Sequence, residues 1–150
     1  MITLQSSDRH IIHEIAQKHA ALLHDDPTTA VKSSRLTVKL YEEMMIHRLK
    51  YATDLIQVKL DENHQMIAYI WGHFDSPMQQ VIIESLYVHP KHRQKGIAYQ
   101  LKRKIESWAQ SLCVKQIMST VRVDNEEMRQ LNQKLGYTAQ KVIMTKIIED

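Results

Sequence analysis

One stretch decides the fold of this chain: Leu86-Tyr87-Val88-His89-Pro90-Lys91-His92-Arg93-Gln94-Lys95-Gly96-Ile97-Ala98. It predicts a buried strand, a proline that ends the strand, a basic loop with one glycine, and the start of a helix. The N–H groups of a first helical turn lack partners within the helix, and the helix dipole is positive there. With Arg93 and Lys95 beside them, these groups predict a phosphate site. An ordinary basic connection between strand and helix is the alternative that this stretch alone leaves open.

Length and composition allow one domain. The 150 residues can bury a sizeable core without disulfides or metal. The hydrophobic share of 43% and the charged share of 25% are ordinary for a soluble globular protein. A net charge of +3 is too small to indicate nucleic acid as the main partner. Basic residues cluster at positions 91–104, however, which is compatible with an anionic small-molecule ligand.

The expected location is the cytoplasm. Cys113 is the single cysteine, so no disulfide can form within the chain. Residues 1–10 lack the apolar core of a signal peptide, and no apolar run approaches the ~20 residues that span a bilayer. The nine histidines come without a cysteine pair or an H-E-x-x-H motif, so we expect no metal site. The chain is therefore predicted to be one soluble domain, residues 1–150.

Apolar periodicity predicts a mixed α/β fold with the element order β-α-α-β-β-β-α-β-α-β. The predicted strands are 2–4, 55–60, 66–74, 80–88, 116–123 and 142–148, and the predicted helices are about 7–23, 36–49, 97–112 and 125–135. The apolar stripe expected on the second helix is Leu36, Leu40, Met44 and Met45. Gly136 sits where a glycine that ends a helix belongs.

The opening stretch resembles the acetyl-CoA pyrophosphate loop of the GNAT superfamily of N-acetyltransferases, usually written L-x-V-x-P-x-x-[RQ]-x-x-G-x-[GA]. The matching residues are Leu86, Val88, Pro90, Arg93, Gly96 and Ala98. Residues 121–125 are similar to the strand end and asparagine that open the family's next helix. Residues 131–137 are similar to its L-Y-E-K-L-G-F element. The resemblance is strong over residues 81–148 and rests on element order alone over residues 1–74.

The resemblance implies an acetyl-CoA-dependent N-acetyltransferase in which a primary amine of a small cationic molecule or a peptide attacks the thioester in a ternary complex. It also implies that the parallel strands 80–88 and 116–123 splay apart around the pantetheine. A backbone N–H near Leu86 would stabilise the charge that develops on the thioester oxygen. The implied cofactor-binding residues are Leu86, Tyr87, Val88, Arg93, Gln94, Lys95, Gly96, Ile97, Ala98, Asn125 and Asn132.

Glu84 is the first candidate for the base that takes the proton of the amine. It is the only carboxylate inside the predicted central strand, and an apolar setting makes a carboxylate a better proton acceptor. The period of two along a strand predicts that Glu84 shares a face with Leu86. Two other roles stay open: Glu84 binds the cationic substrate, or it pairs with a buried basic group.

Asn132 departs from the family pattern. Many members carry a tyrosine there that protonates the departing thiolate, and asparagine cannot act as an acid. Water, Tyr87 or another group then gives the proton, or the thiolate leaves unassisted. The missing tyrosine motivates an alternative function, a non-catalytic acyl-CoA-binding sensor or interaction module. Nucleic-acid binding through residues 91–104 is a third interpretation, opposed by the apolar stripe of that helix.

Short sequence similarities suggest one class of acceptor. Residues 84–90 and 132–136 look similar to some aminoglycoside-modifying acetyltransferases of the superfamily. His73 is expected either to line an acceptor pocket or to be a strand-edge residue. Family members often form dimers, although the sequence does not identify a dimer interface. The acidic residues that would attract a cationic amine are Asp25, Asp26, Glu42, Glu43 and Asp75.

Overall fold

The computed structural model describes residues 1–25 and 29–149 and contains two compact units, Met1–Ser119 and Thr120–Asp150. The first unit consists of β1 (Ile2–Thr3), α1 (Arg9–His24), α2 (Arg35–Tyr51), β2 (Asp54–Leu60), β3 (Met66–Asp75), β4 (Gln80–Val88), a 3₁₀ turn (Pro90–His92), α3 (Ile97–Ser111) and β5 (Gln116–Ser119). The second unit contains α4 (Glu126–Lys134). The mixed α/β class and the predicted element order are confirmed as far as α4.

The first unit is built on one five-stranded sheet with the order β1-β2-β3-β4-β5. The first three pairings are antiparallel, and β4 and β5 are parallel. The parallel pair is joined through α3, as expected for a crossover between parallel strands. β4 therefore lies inside the sheet, where the sequence places it.

The two faces of the sheet are covered by different helices. On one face, α1 and α2 pack on Val58, Tyr69 and Trp71, and we call this the α1/α2 face. On the other, α3 packs on Ile70 and Val81, and we call this the α3 face. Burial of apolar side chains on both sides, at about 25 cal/mol per Å², is the main force that holds the layers together.

The predicted apolar stripe of α2 is wrong in part. Leu36 and Leu40 are 68% and 57% exposed, whereas Met45 is fully buried. The side chains of Met44 and Leu49 pack partly buried against the same core. At about 100° per residue, Met45 lies about 180° around the helix from Leu36, so one face cannot bury both. The helix buries the side that carries Met45.

In the second unit α4 forms as predicted. Asn125 caps its first turn by accepting a hydrogen bond from the Met128 N–H at 3.1 Å. Gly136 has a φ of 90° and follows the last turn, where the left-handed conformation favours glycine. The predicted helix and its terminating glycine are both confirmed.

The predicted last strand is wrong, and β5 is shorter than predicted. Within the described residues, 142–148 pair with no strand, and apolar side chains such as Val142 and Met144 are exposed. An apolar run predicts extended backbone but not the hydrogen-bonding neighbour that a strand requires. β5 ends at Ser119 rather than at residue 123 because its pairing with β4 stops there. Among the helices that the structure describes, none has the length and apolar character needed to cross a bilayer.

Candidate active site

The loop between β4 and α3 is folded back onto the end of β4. It contains the 3₁₀ turn Pro90–His92 and two residues with positive φ, Gln94 at 60° and Gly96 at 80°. The Arg93 Nε donates a hydrogen bond of 2.9 Å to the Val88 carbonyl oxygen. The six residues that the sequence predicts for phosphate binding, 93–98, thus lie together at the start of α3.

Backbone donors are available around Gly96. The first α3 hydrogen bond runs from the Gln100 N–H to the Gly96 carbonyl at 3.0 Å. In the described structure, the N–H groups of residues 94–99 donate no backbone hydrogen bond. A Cβ built on Gly96 would meet no atom within 4 Å, so the space above the loop is open. Free N–H groups, the positive end of the helix dipole and this space fit a diphosphate.

β4 carries a β-bulge at Glu84. Trp71 pairs with Ser85 and Gly72 pairs with Ile83, so Glu84 is an extra residue without a partner in β3. The parallel pairing with β5 also ends at Ile83. Among the described strands, the last part of β4 is therefore paired on the β3 side alone. The predicted splay requires that the pairing of β4 with β5 end part-way along β4, as it does here.

The open edge of β4 presents the backbone groups of Leu86. The His89 N–H donates to the Ile67 carbonyl at 2.8 Å, which makes this a hydrogen-bonded pair of the antiparallel ladder. Such pairs alternate, so Tyr87 pairs with Tyr69 and the N–H and C=O of Leu86 face away from β3. An extended ligand beside β4 can therefore hydrogen-bond to Leu86 as an added strand would.

Glu84 and Leu86 lie on opposite faces of the sheet. Leu86 packs on the α3 face, while Glu84 Oε1 is 3.3 Å from Nη1 of Arg48, on α2. The prediction of a shared face is wrong because the bulge inserts one residue into the alternation. The apolar setting expected for Glu84 is not found either, since its side chain is 22% exposed and contacts a guanidinium. Pairing with a basic group, one of the roles left open, is the contact observed.

Trp71 joins this ion pair to a second polar pair. The Arg48 guanidinium lies 5.7 Å from the centroid of the Trp71 ring. The indole Nε1–H donates to Oδ2 of Asp54 at 2.7 Å, and Oδ1 of Asp54 lies 2.6 Å from Nδ1 of His73. One buried indole thus contacts both Arg48 and the Asp54–His73 pair on the α1/α2 face.

His19 packs on the same indole from α1. Its ring makes edge contacts with Trp71 at 5.4 Å and Tyr41 at 4.7 Å between centroids. Burial, with smaller contributions from the charges of His24 and Arg48, lowers the pKa of His19 from 6.5 to about 4. His19 is therefore neutral in the folded protein at neutral pH.

His19 should make stability depend on pH. Since its pKa is lower in the folded state, its contribution is complete above pH 6.5 and is lost as the pH falls from 6.5 towards 4. The total loss should be about 3 kcal/mol. Urea unfolding at several pH values measures it, with His19→Leu as the comparison. Equal pH slopes for the two proteins between pH 6.5 and 4.5 would contradict this assignment.

Tyr87 also lies on the α1/α2 face. Its ring stacks on Tyr69 with centroids 6.0 Å apart, and the Lys18 Nζ lies 4.6 Å from its centroid. The Tyr69 hydroxyl contacts Ser85 Oγ at 2.7 Å, and burial raises the pKa of Tyr69. Tyr87 is therefore held in place beside the bulge, on the side opposite to Leu86.

The acidic residues expected to attract a cation have local partners. The contacts join Asp25 to Ser33, Glu42 to His13, Glu43 to Lys39 and Asp75 to Gln80. Asp26 lies outside the described residues. Each of the four described carboxylates therefore already makes a hydrogen bond or an ion pair within the fold.

In the second unit, the two asparagines have different surroundings. The Asn125 carboxamide oxygen is used to cap α4, which leaves its NH₂ group for other contacts. Asn132 is buried, and its Oδ1 has no hydrogen-bond partner among the described residues. A buried amide oxygen of this kind has unused capacity to accept a hydrogen bond.

Arg48 and Asp54 belong to no sequence motif, and the sequence analysis does not identify them. For Asp54 the sequence offers one indication. A hairpin that turns at residues 61–65 predicts the strand partner of Asp54 to within one position of His73, the partner observed. For Arg48, on α2, we find no signal. Within residues 1–25 and 29–149, no three His, Cys, Asp or Glu side chains come together as metal ligands would.

Known proteins resemble this chain in sequence and fold. The model of the acetyltransferase (GNAT) family matches residues 20–137. Aminoglycoside N(6')-acetyltransferase type 1 from Acinetobacter haemolyticus is 29% identical over 101 residues, which are 61% of this chain and 68% of that protein. The protein of the same name from Acinetobacter baumannii is 30% identical over 69 residues, 46% of each chain.

Solved structures of other proteins also resemble this chain. A Staphylococcus aureus protein assigned to GNAT family acetyltransferases has a TM-score of 0.74 and 39% identity, covering 79% of this chain and 98% of that one. An acetyltransferase structure from Pyrococcus furiosus has a TM-score of 0.73 and 22% identity, covering 98% and 99%, which concerns the fold alone.

Proposed function

Because this chain belongs to the GNAT family of acetyltransferases, we propose that it transfers an acetyl group from acetyl-CoA to a primary amine of a small cationic molecule or peptide. The observation that carries the proposal is the set of free N–H groups at residues 94–99, beside Arg93 and Lys95, at the start of α3. A diphosphate seated there would lie near the end of β4, and the pantetheine could then run along its open edge.

Leu86 would act on the thioester, and Glu84, at the bulge, on the acceptor amine. The Leu86 N–H faces the open edge of β4, which suits hydrogen bonding to the oxygen that becomes negative in the transition state. Glu84 Oε1 is occupied by Arg48, but Oε2 makes no hydrogen bond or ion pair among the described residues and can accept a hydrogen bond from an ammonium group. We therefore assign Glu84 to binding the acceptor amine. The roles of Asn125 and Asn132 at the pantetheine, and of residues 1–150 as one domain, stay predictions.

For the acceptor we propose an amino sugar or a polyamine as the first classes to examine. The two Acinetobacter relatives described above, which are 29% and 30% identical to the matched parts of this chain, are aminoglycoside acetyltransferases. A cationic acceptor also suits a site that contains Glu84. A cytoplasmic location and a homodimer stay predictions from the sequence.

A non-catalytic acyl-CoA sensor is the second candidate, favoured by Asn132 in place of the tyrosine acid. It predicts binding of acetyl-CoA without turnover. The two functions share the loop and differ only in the fate of the acetyl group.

Thiol release distinguishes them. Wild-type protein and acetyl-CoA are incubated with kanamycin, spermidine or a short peptide with a free N-terminus, and free thiol is measured. Catalysis predicts release that requires an amine and an acetylated product in the mass spectrum. Binding of acetyl-CoA with no amine-dependent release from a panel of primary amines would favour the sensor.

A further inference from the structure

His73 has one bound and one free ring nitrogen. Its Nδ1 lies 2.6 Å from Oδ1 of Asp54, whose side chain is completely buried. Both Asp54 oxygens are engaged, since Oδ2 accepts from Trp71. His73 itself is 21% exposed, and its Nε2 makes no hydrogen bond within the part of the chain that the structure describes.

This arrangement selects one tautomer. A buried carboxylate accepts the Nδ1–H of His73, which leaves the Nε2 lone pair as the basic site. The hydrogen bond also holds the plane of the ring, and the imidazolium that would form after protonation is stabilised by the Asp54 charge. The pair therefore has the parts of a proton acceptor with its orienting carboxylate.

His73 lies near the candidate amine site. It follows Trp71 by two residues on β3 and so shares the α1/α2 face, on which Glu84 meets Arg48. The Cα partner of His73 is Ile82, two residues before Glu84. In a regular ladder such diagonal neighbours lie about 7–8 Å apart, a gap that an amine or one water molecule can bridge, and the bulge at Glu84 bends the strand at this point.

We infer that His73, oriented by Asp54, is the proton acceptor for the amine; this rests on the proposed acetyl transfer. Nε2 takes one proton from the ammonium form, directly or through a water. The neutral amine then attacks the thioester carbon, so that a C–N bond forms and the C–S bond breaks. The thiolate leaves with the electron pair and takes up the second proton, which the nitrogen loses as the amide forms, and His73 returns the first proton to solvent.

Glu84 is the less suitable acceptor of this proton. Its carboxylate has the Arg48 guanidinium at 3.3 Å, and no other group holds it in a single orientation in the described structure. A division of labour follows, in which Glu84 binds the cationic group and His73 receives the proton.

Chemical rescue tests the inference. His73→Ala should lower kcat/KM for the acceptor that the wild type acetylates by about 100-fold, the usual size of a general-base contribution. Added imidazoles should restore activity in proportion to their basicity. The matched control is His64→Ala, an exposed histidine in the β2–β3 turn, which should keep wild-type activity. Rescue that does not depend on basicity would mean that imidazole only fills a void and would overturn the inference.

His73→Asn guards against a folding artefact. Its amide N–H can still donate to Asp54, so the fold should persist while the basic nitrogen is lost. We expect unchanged acetyl-CoA affinity and the same loss of turnover. Activity within twofold of the wild type would overturn the role of His73 and leave the proposed function intact. A wild type that releases no thiol with any amine would overturn the proposed function itself, and this inference with it.

Discussion

Gly96→Glu should weaken acetyl-CoA binding by at least about 100-fold, which is about 2.7 kcal/mol. The new side chain occupies the open space above residues 94–99 and places a negative charge where we propose the diphosphate. Repulsion then replaces the attraction of the helix dipole and of Arg93. Calorimetric titration of acetyl-CoA into each protein measures the effect.

Gly96→Gln is the matched control for Gly96→Glu. Both substitutions place a side chain at a φ of 80°, so both share a strain of about 1–2 kcal/mol in the folded state. Only the glutamate adds charge, so the glutamine variant should bind more tightly than the glutamate variant. Wild-type affinity in a folded Gly96→Glu protein would exclude this loop as the diphosphate site.

Trp71→Ala should destabilise the fold by about 4 kcal/mol. The indole is fully buried on the α1/α2 face, so its removal leaves a large cavity. It also removes the N–H donor of the buried Asp54 and the ring beneath Arg48. Urea unfolding at 25 °C and pH 7.5 measures the change.

Two comparisons separate the causes. Trp71→Phe keeps most of the volume but loses the hydrogen bond to Asp54, and should cost about 1–3 kcal/mol. Trp108→Ala removes a partly buried indole from the α3 face and should cost less than Trp71→Ala. A loss below 1 kcal/mol in Trp71→Ala, read against the roughly 3–5 kcal/mol typical of buried tryptophan, would show that the cavity or the polar network matters little.

Local signals account for what the sequence predicts well. Pro90 ends β4 and Gly96 starts α3, and both act through backbone conformations that their own chemistry imposes. The stripe that begins at Ile97 and Leu101 is buried as expected. Such features depend on neighbours within a few residues, so one sequence contains them.

The errors all involve partners distant in the chain. Whether residues 142–148 form a strand depends on a neighbour that periodicity does not reveal. The orientation of Glu84 depends on a bulge that is defined by the register of β4 against β3. The choice between the two apolar sides of α2 depends on which one the sheet accepts.

The candidate site likewise has a part that the sequence predicts and a part that it does not. The phosphate loop is contiguous in sequence, and residues 93–98 could be named in advance. The polar pairs at Trp71 come from four elements, since they join Arg48 on α2 to Glu84 on β4, and Asp54 on β2 to His73 on β3. Only the hairpin register gave any indication that Asp54 and His73 would meet.

The most direct test of the account follows the backbone N–H groups themselves. In a ¹H–¹⁵N spectrum of the labelled wild type, acetyl-CoA should shift the amide signals of residues 94–99 and of Leu86. The signal of His64, in the β2–β3 turn, should stay in place. Binding that shifts other amides and leaves residues 94–99 unchanged, or no binding by the folded protein, would contradict the claim that this loop holds acetyl-CoA.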